Sequence, residues 1–504
     1  MHLELVLKMA AAMSGDRVAF GSLEGGTTMA DFAERAGRVG ARFAASAGAE
    51  RVAMVDLNSE AVPLTLFGSV LAAKPFVPIN YRLTDDQLRA LVARTAPALV
   101  VVGEGVAQRI GEIEGIEFLE RSELLAIAAG DGEGGGERLD DALDTDPSAI
   151  AVLLYTSGTT GDPKAAVLRH LNLGAYVVTT VELGGSSPEE AALVSVPPYH
   201  IAGISAAVTS VYGGRRVVYL ESFDPVQWVA TARREAITHA MVVPTMLGRI
   251  LDVMEAEGLT LDSLRTLSYG GGPMPAAVIE RALSLLPGVD FVNAYGLTET
   301  SSTIALLGPD DHRVAFASDD PQVRARLNSV GRPLASVEVS IRDEDGNEVP
   351  VGHTGEVWVR GEQVSGEYLG RDGGGDGWFH TRDAGHLDTE GFLFVEGRLD
   401  DVIVRGGENL SPGEIEATLL EHDAVAEAAV VGVPDVEWGE KVVAAVVAVP
   451  GAEVDAEELR EFVRGRLRST KTPERISVVE ELPFNETGKL LRRTLREQLA
   501  DPQG

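Results

Sequence analysis

The chain has 504 residues, 45 % of them hydrophobic and 24 % charged, which is enough apolar mass for more than one packed core and too much for global disorder. Its 77 Asp+Glu outweigh its 43 Lys+Arg for a formal charge of -34, which excludes a sequence-independent grip on nucleic acid or an anionic membrane. No cysteine is present, so disulfides, thiolate-bound zinc and thiol nucleophiles are ruled out, and a reducing cytoplasm is the expected compartment.

The opening MHLELVLKMAAAMSGDRVAF carries Glu4, Lys8, Asp16 and Arg17 within its apolar pattern and reads as an amphipathic helix rather than a secretory leader. Short apolar runs at Arg51–Leu57, Ala98–Val102, Ile150–Tyr155 and Arg216–Leu220 alternate with helix-period segments such as Asp85–Arg94. That alternation predicts layered α/β sheets with largely parallel strands. The glycine-rich, acidic stretch Asp131–Pro147 has little to bury and reads as a surface connection separating two lobes of a large domain. From about Val337 short strands with turn signals predict a β-rich subdomain, with Asp345–Gly346 at a tight hairpin. Beyond Gly397–Asp401, a helix near Pro412–Leu420, strands near Ala426–Val433 and Val442–Val449, and a helix near Asp455–Leu467 form a small α+β domain. The expected division is therefore 1–398 and 399–504. No run approaches the ~20 uncharged apolar residues that cross a bilayer, so no membrane span is expected.

The strand IAVLLY runs straight into Thr156–Lys164, TSGTTGDPK, and a helix is expected from His170. Gly158 and Gly161 let backbone approach a phosphate closely, Thr156, Ser157, Thr159 and Thr160 offer hydroxyl donors, and Lys164 adds a cation. A nucleoside triphosphate tail is the natural ligand, against the competing reading of an ordinary polar turn. It is not a Walker loop, because Asp162 follows Gly161 and Ala165 follows Lys164.

YTSGTTGDPKAA resembles the phosphate loop of the AMP-binding, adenylate-forming superfamily, which contains acyl-CoA synthetases, carrier-loading adenylation domains and firefly luciferase. Further motifs follow in the family's order: YGGGPMP at Tyr269–Pro275, YGLTET at Tyr295–Thr300, GWFHTRD at Gly377–Asp383, GRLDDVIVRGGENLSPGEIE at Gly397–Glu416 and NETGK at Asn485–Lys489. The resemblance spans the chain from near Phe76 to Lys489. It implies a ligase that uses ATP, Mg²⁺ and coenzyme A, with a large α/β domain and a small mobile C-terminal domain.

Joining a carboxylate to the α-phosphate of ATP brings two anions together, so such a site needs cations and donors. By the resemblance, Thr156–Gly161 hold the β- and γ-phosphates, Thr298 the α-phosphate, and Glu299 the Mg²⁺. Tyr295 stacks on adenine, Gly271 and Gly272 admit the base close to backbone, Asp383 accepts from the ribose hydroxyls, and Arg398 reaches ribose or phosphate. Lys489 stands at the adenylation lysine. Asp400 matches the hinge about which the small domain turns, bringing Gly406 and Gly407 over a pantetheine tunnel where Trp438 packs. Arg82 resembles an arginine that meets the CoA nucleotide. This chain departs from the family at Arg382, where relatives have glycine, and at Thr472 and Glu474, where some CoA-using relatives are basic.

PPYHIAG at Pro197–Gly203 resembles the segment whose histidine, here His200, borders the acyl pocket. With Ile201, Ala202, Gly270, Ala294, Gly296 and Ser301, the expected walls are small and carry no acid to pair with an ammonium group. A medium or long fatty acid, or a bulky alicyclic or aryl acid, is the expected substrate. The implied partners are that acid and CoA, with a homodimer left open and no nucleic acid. A carrier-protein thiol as acceptor, a luciferase-like oxygenase and a non-catalytic nucleotide-binding protein are the alternatives.

Overall fold

The computed structural model describes residues 1–131, 136–156, 163–370, 377–405, 408–435, 438–484 and 490–500. Two large sheets form the bulk of the molecule. In the six-stranded sheet the order is Ile116–Glu120, Ala98–Val102, Arg51–Val55, Phe76–Pro78, Ile150–Thr156, Lys164–Arg169, parallel except for the last pair. In the nine-stranded sheet a parallel centre, from Asp290–Leu297 through Thr266–Gly270, His239–Val242, Ala191–Val194 and Arg216–Tyr219 to Val18–Phe20, is closed by antiparallel strands at both ends.

Helices Met29–Ala45 and Ala61–Leu71 lie in the main core, and every residue of the second is buried. Their apolar faces meet Phe20, Val52, Val101, Val152 and Tyr212, so one core joins strands from both sheets. The outer side of the nine-stranded sheet is covered by helices Pro225–Arg234, Pro244–Glu257 and Ala276–Leu285, packed around Trp228, Leu247 and Ile279. Local chemistry fixes their starts: Asp224 caps the first of these by accepting from the Gln227 N–H at 2.8 Å. The opening segment forms helix Leu3–Ser14, as its pattern predicts.

The helix expected from His170 is present, and one expectation is corrected here. Lys164–Arg169 is a strand antiparallel to Ile150–Thr156, so the phosphate loop connects a hairpin before helix His170–Thr180 begins. The acidic stretch before Pro147 does not divide two lobes, because it joins strands of one sheet. Within it, Leu139 and Ala142 pack on the main core, and the Leu143 N–H donates to Leu71 O at 2.9 Å.

The β-rich region is a four-stranded antiparallel sheet, Glu338–Arg342, Gly355–Arg360, Phe379–Leu387, Leu393–Arg398. Gly346 takes a positive φ of 82° in the expected Asp-Gly turn. After the short 3-10 turn Leu399–Asp401, a five-stranded sheet carries helices Pro412–Leu420 and Ala456–Arg464 on one face and Arg492–Ala500 on the other. No described helix is long and apolar enough to cross a membrane.

Candidate active site

Ligands of open α/β sheets gather beyond the carboxyl ends of the strands. Strand Asp290–Leu297 ends there with Tyr295, and the adjoining four-stranded sheet delivers Asp383 and Arg398 as cross-strand partners. The Tyr295 hydroxyl donates to Asp383 Oδ2 at 2.5 Å, and Arg398 Nε meets Asp383 Oδ1 at 3.1 Å. A second guanidinium nitrogen of Arg398 donates to Thr381 O at 2.6 Å. Burial, reinforced by Asp383, raises the Tyr295 phenol well above its ordinary value, so it stays a donor. Asp383 is only 6 % exposed, and a carboxylate oxygen carries two lone pairs, so accepting from Tyr295 does not by itself exhaust it. A side chain at Gly272 would meet no atom of the described residues within 4 Å, so backbone there faces open space among them, as a base-binding segment requires.

Two residues beyond the end of that strand, Glu299 sits in the 3-10 turn Thr298–Thr300, 7 % exposed. Its Oε1 accepts from the Tyr368 hydroxyl, and its backbone carbonyl accepts from the N–H groups of Ser365 and Gly366 at 2.8 and 3.2 Å. The same segment runs beside the strand after the phosphate loop, with Val167 N–H donating to Glu367 O and Leu369 N–H to Ala165 O, both at 2.9 Å. Lys164 Nζ lies 6.0 Å from the Tyr368 ring centroid, within cation–π reach. Tyr368 thus ties the lysine of the phosphate loop to the acid expected to hold metal, a role the sequence reading missed because Tyr368 lies outside every motif. Mg²⁺ on a triphosphate takes one or two carboxylates and completes its octahedron with phosphate oxygens and water, so a single buried Glu299 fits that ion.

The turn itself is strained. Ser301 and Ser302 adopt φ of 57° and 112°, and Gln363 Nε2 holds the turn by donating to Thr300 O at 3.2 Å and Thr303 O at 2.8 Å. Ser301 Oγ is buried without a partner among the described residues. Gly296 and Gly270 have a packing reason to be small. A Cβ would fall 1.8 Å from Ser302 O at Gly296 and 2.2 Å from Ala294 O at Gly270. Their smallness therefore does not measure pocket size.

Arg382 adopts φ 63°, a left-handed conformation costing a non-glycine residue roughly 1–2 kcal/mol. Its N–H donates to Glu356 Oε1 at 3.2 Å, and the neighbouring Asp383 N–H donates to Thr381 Oγ1 at 3.1 Å, so the loop keeps Asp383 in place despite the substitution. The guanidinium turns to Asp400 Oδ1 at 2.6 Å.

The segments around Arg82 and His200, distant in sequence, meet. The Arg82 guanidinium lies over the Tyr81 ring at 5.4 Å, Tyr81 packs edge-on against Tyr199 at 5.5 Å, and Tyr199 lies 4.6 Å from His200. Burial, with the positive Arg82 nearby, lowers His200 to about 4, and its Nε2 is buried without a partner among the described residues. His200 is therefore neutral near pH 7. It precedes helix Ile201–Gly213, which packs against strand Ser302–Leu307, and Ile201 and Ala202 at the start of that helix pack on the main core.

In the small domain Trp438 is 46 % exposed and so is not part of its core. The Arg405 guanidinium sits 5.8 Å from its ring centroid and pairs with Glu474 at 2.6 Å, so the acid that replaces a basic residue anchors Arg405. Ser157, Gly158, Thr159, Thr160, Gly161, Gly406, Gly407 and Lys489 lie outside the described residues; Thr156, at the base of the phosphate loop, pairs with Lys164 across the hairpin.

Residues 7–369 match the family of AMP-binding enzymes, and residues 414–489 match the AMP-binding enzyme C-terminal domain. A feruloyl-CoA synthase from Amycolatopsis sp is 33 % identical over 483 residues, covering 94 % of each chain. A fatty acid–[acyl-carrier-protein] ligase from Streptomyces coeruleorubidus is 34 % identical over 473 residues, covering 91 % of this chain and 88 % of the relative. O-succinylbenzoate coenzyme A synthetase from Bacillus subtilis, solved with ATP and magnesium ion, superposes with a TM-score of 0.80 at 28 % identity over 97 % of this chain and 99 % of that one. With both domains matched and the tyrosine–aspartate–arginine cluster in place, the chain belongs to the AMP-binding enzymes, in the acyl-CoA synthetase type of the adenylate-forming superfamily.

Proposed function

We propose that the protein is an ATP-dependent carboxylic acid:CoA ligase acting on a bulky hydrophobic acid, with aryl acids foremost. The acid's carboxylate displaces pyrophosphate from ATP to give an acyl-adenylate, and the CoA thiol then displaces AMP to give the thioester. The observation that carries this reading is the continuous arrangement from Tyr295, Asp383 and Arg398 to Glu299, Tyr368 and Lys164, which offers a nucleoside site and a metal–phosphate site along one strand end.

Asp383 and Tyr295 fix the nucleoside, so the α-phosphate lies toward Thr298 and the triphosphate tail toward Thr156–Lys164. Glu299 would hold Mg²⁺, which supplies charge neutralisation on the phosphate oxygens when bound. Lys489 supplies the cation between the acid carboxylate and the α-phosphate. Neutral His200, with Ile201, Ala202 and Ser301, borders the acyl group. The small domain, 399–504, turns at Asp400 for the second step, when Gly406–Gly407 and Trp438 flank the pantetheine arm and Arg82 meets the CoA nucleotide.

Aryl acids are favoured because relatives of this chain are named for feruloyl and succinylbenzoate groups and because no acid stands among the expected pocket residues to pair with an ammonium group. Likeness to the carrier-protein ligase keeps one other acceptor in competition, and exposed Trp438 beside Arg405 favours CoA. The absence of cysteine suits action in the cytoplasm. A panel of acids, from acetate through long chains to aryl and polycyclic acids, scored by AMP release with CoA or with a carrier protein, tests the reading. Highest turnover with an aryl acid and CoA supports it; turnover only with carrier protein replaces the acceptor.

A further inference from the structure

We propose that Arg382 is a positioning residue for the domain rotation, and that its ion pair with Asp400 sets the balance between adenylate formation and acyl transfer. The inference rests on Asp400 being the hinge.

Arg382 is anchored in the large domain. It lies on strand Phe379–Leu387, its N–H is held by Glu356 Oε1, and Glu356 Oε2 is itself held by Trp358 Nε1 at 2.9 Å. Asp400 lies in the 3-10 turn that leads into the small domain. Rotation about φ of Asp400 swings its Cβ relative to the large domain, whereas rotation about ψ leaves it in place, so the 2.6 Å contact with a fixed neighbour belongs to one arrangement of the hinge and is broken by a turn that changes φ. An interaction made in only one of two states shifts their populations by its whole worth. The partners are 58 % and 33 % exposed, which places the expected shift at about two- to fivefold.

The backbone points the same way. A left-handed φ of 63° favours glycine, and a strained non-glycine residue persists where its side chain has a role. Here the ion-pair partner of that side chain is the hinge acid.

The test uses the full chain, whose lack of cysteine allows a label pair at Val226→Cys and Val478→Cys, both exposed positions. Single-molecule energy transfer reports domain arrangement, while pyrophosphate–ATP exchange and single-turnover transfer from preformed acyl-adenylate to CoA report the half-reactions. Arg382→Gly and Asp400→Asn are each expected to shift the ratio of the two rates about two- to fivefold in one direction, with a matching shift in the energy-transfer populations. The double variant should go no further than the single ones. Arg382→Lys, and the charge swap Arg382→Asp with Asp400→Arg, should restore the ratio toward wild type. Unchanged ratios and populations in both single variants, or fully additive effects, would overturn the proposal. A wild-type protein that makes no thioester with CoA contradicts the proposed function instead, and the energy-transfer populations still decide whether the pair holds the hinge.

Discussion

The hydroxyl of Tyr295 and the carboxylate of Asp383, 88 positions apart, form a hydrogen bond of 2.5 Å that joins the nine-stranded sheet to the four-stranded sheet. It fixes the tyrosine ring at the same time as it orients the carboxylate proposed to meet ribose. Tyr295→Phe keeps the ring and loses only the orienting bond, so the KM for ATP should rise by no more than about tenfold, the lower end of what a hydrogen bond to a charged group is worth. Asp383→Ala removes the ribose acceptor and leaves Arg398 without its carboxylate, and should raise that KM by about ten- to a hundredfold. Steady-state kinetics in ATP rank the two; equal effects would remove Asp383 from the nucleoside site.

Tyr368→Phe tests the link between Lys164 and Glu299. Loss of the hydroxyl frees Glu299 Oε1 to rotate, and loss of a group that orients a metal ligand typically costs about tenfold or more in metal affinity. The Mg²⁺ concentration for half-maximal pyrophosphate exchange should rise by about tenfold with the thermal midpoint little changed. An unaltered Mg²⁺ dependence would leave Glu299 without a metal role.

Two glycines in neighbouring motifs should behave in opposite ways. Gly296→Ala drives a methyl group into Ser302 O and should lower stability by at least about 2 kcal/mol, seen as a lower thermal midpoint. Gly272→Ala meets no protein atom, so it should leave the midpoint alone while weakening ATP binding measured by calorimetry. Normal ATP binding by Gly272→Ala would move the base elsewhere.

Burial lowers His170 to about 3 and both His200 and His239 to about 4, against the ordinary 6.5 of an unfolded chain. Between pH 6.5 and about 4 the unfolded state therefore binds more protons than the folded one. The stability these residues contribute is fully present above pH 6.5 and is lost as the pH falls through that window. Calorimetry across it should show the thermal midpoint dropping by several degrees, with a shallower fall in His170→Gln. A flat midpoint would contradict the burial of these rings.

The layered α/β architecture was legible in the runs Arg51–Leu57 and Ala98–Val102, and the residues proposed for the nucleoside were singled out by their motifs, because period and short motifs are local properties. What escaped was tertiary. Strand Lys164–Arg169 is short, and its hairpin partner is separated from it by the phosphate loop. Leu139 is one apolar residue in an acidic stretch, and only the main core shows why it is there. Tyr368 and Gln363 act through contacts with a turn more than sixty positions away. The carbonyls beside Gly270 and Gly296 escaped too, because sequence does not reveal which backbone atoms a side chain there would meet.

Acid-dependent exchange of labelled pyrophosphate into ATP, measured without CoA, tests the central claim most directly. With an aryl acid and Mg²⁺, wild-type protein should catalyse exchange, and Lys489→Ala should lose most of it. Exchange that needs no acid, or Lys489→Ala exchange equal to wild type, would contradict acyl-adenylate formation at this site.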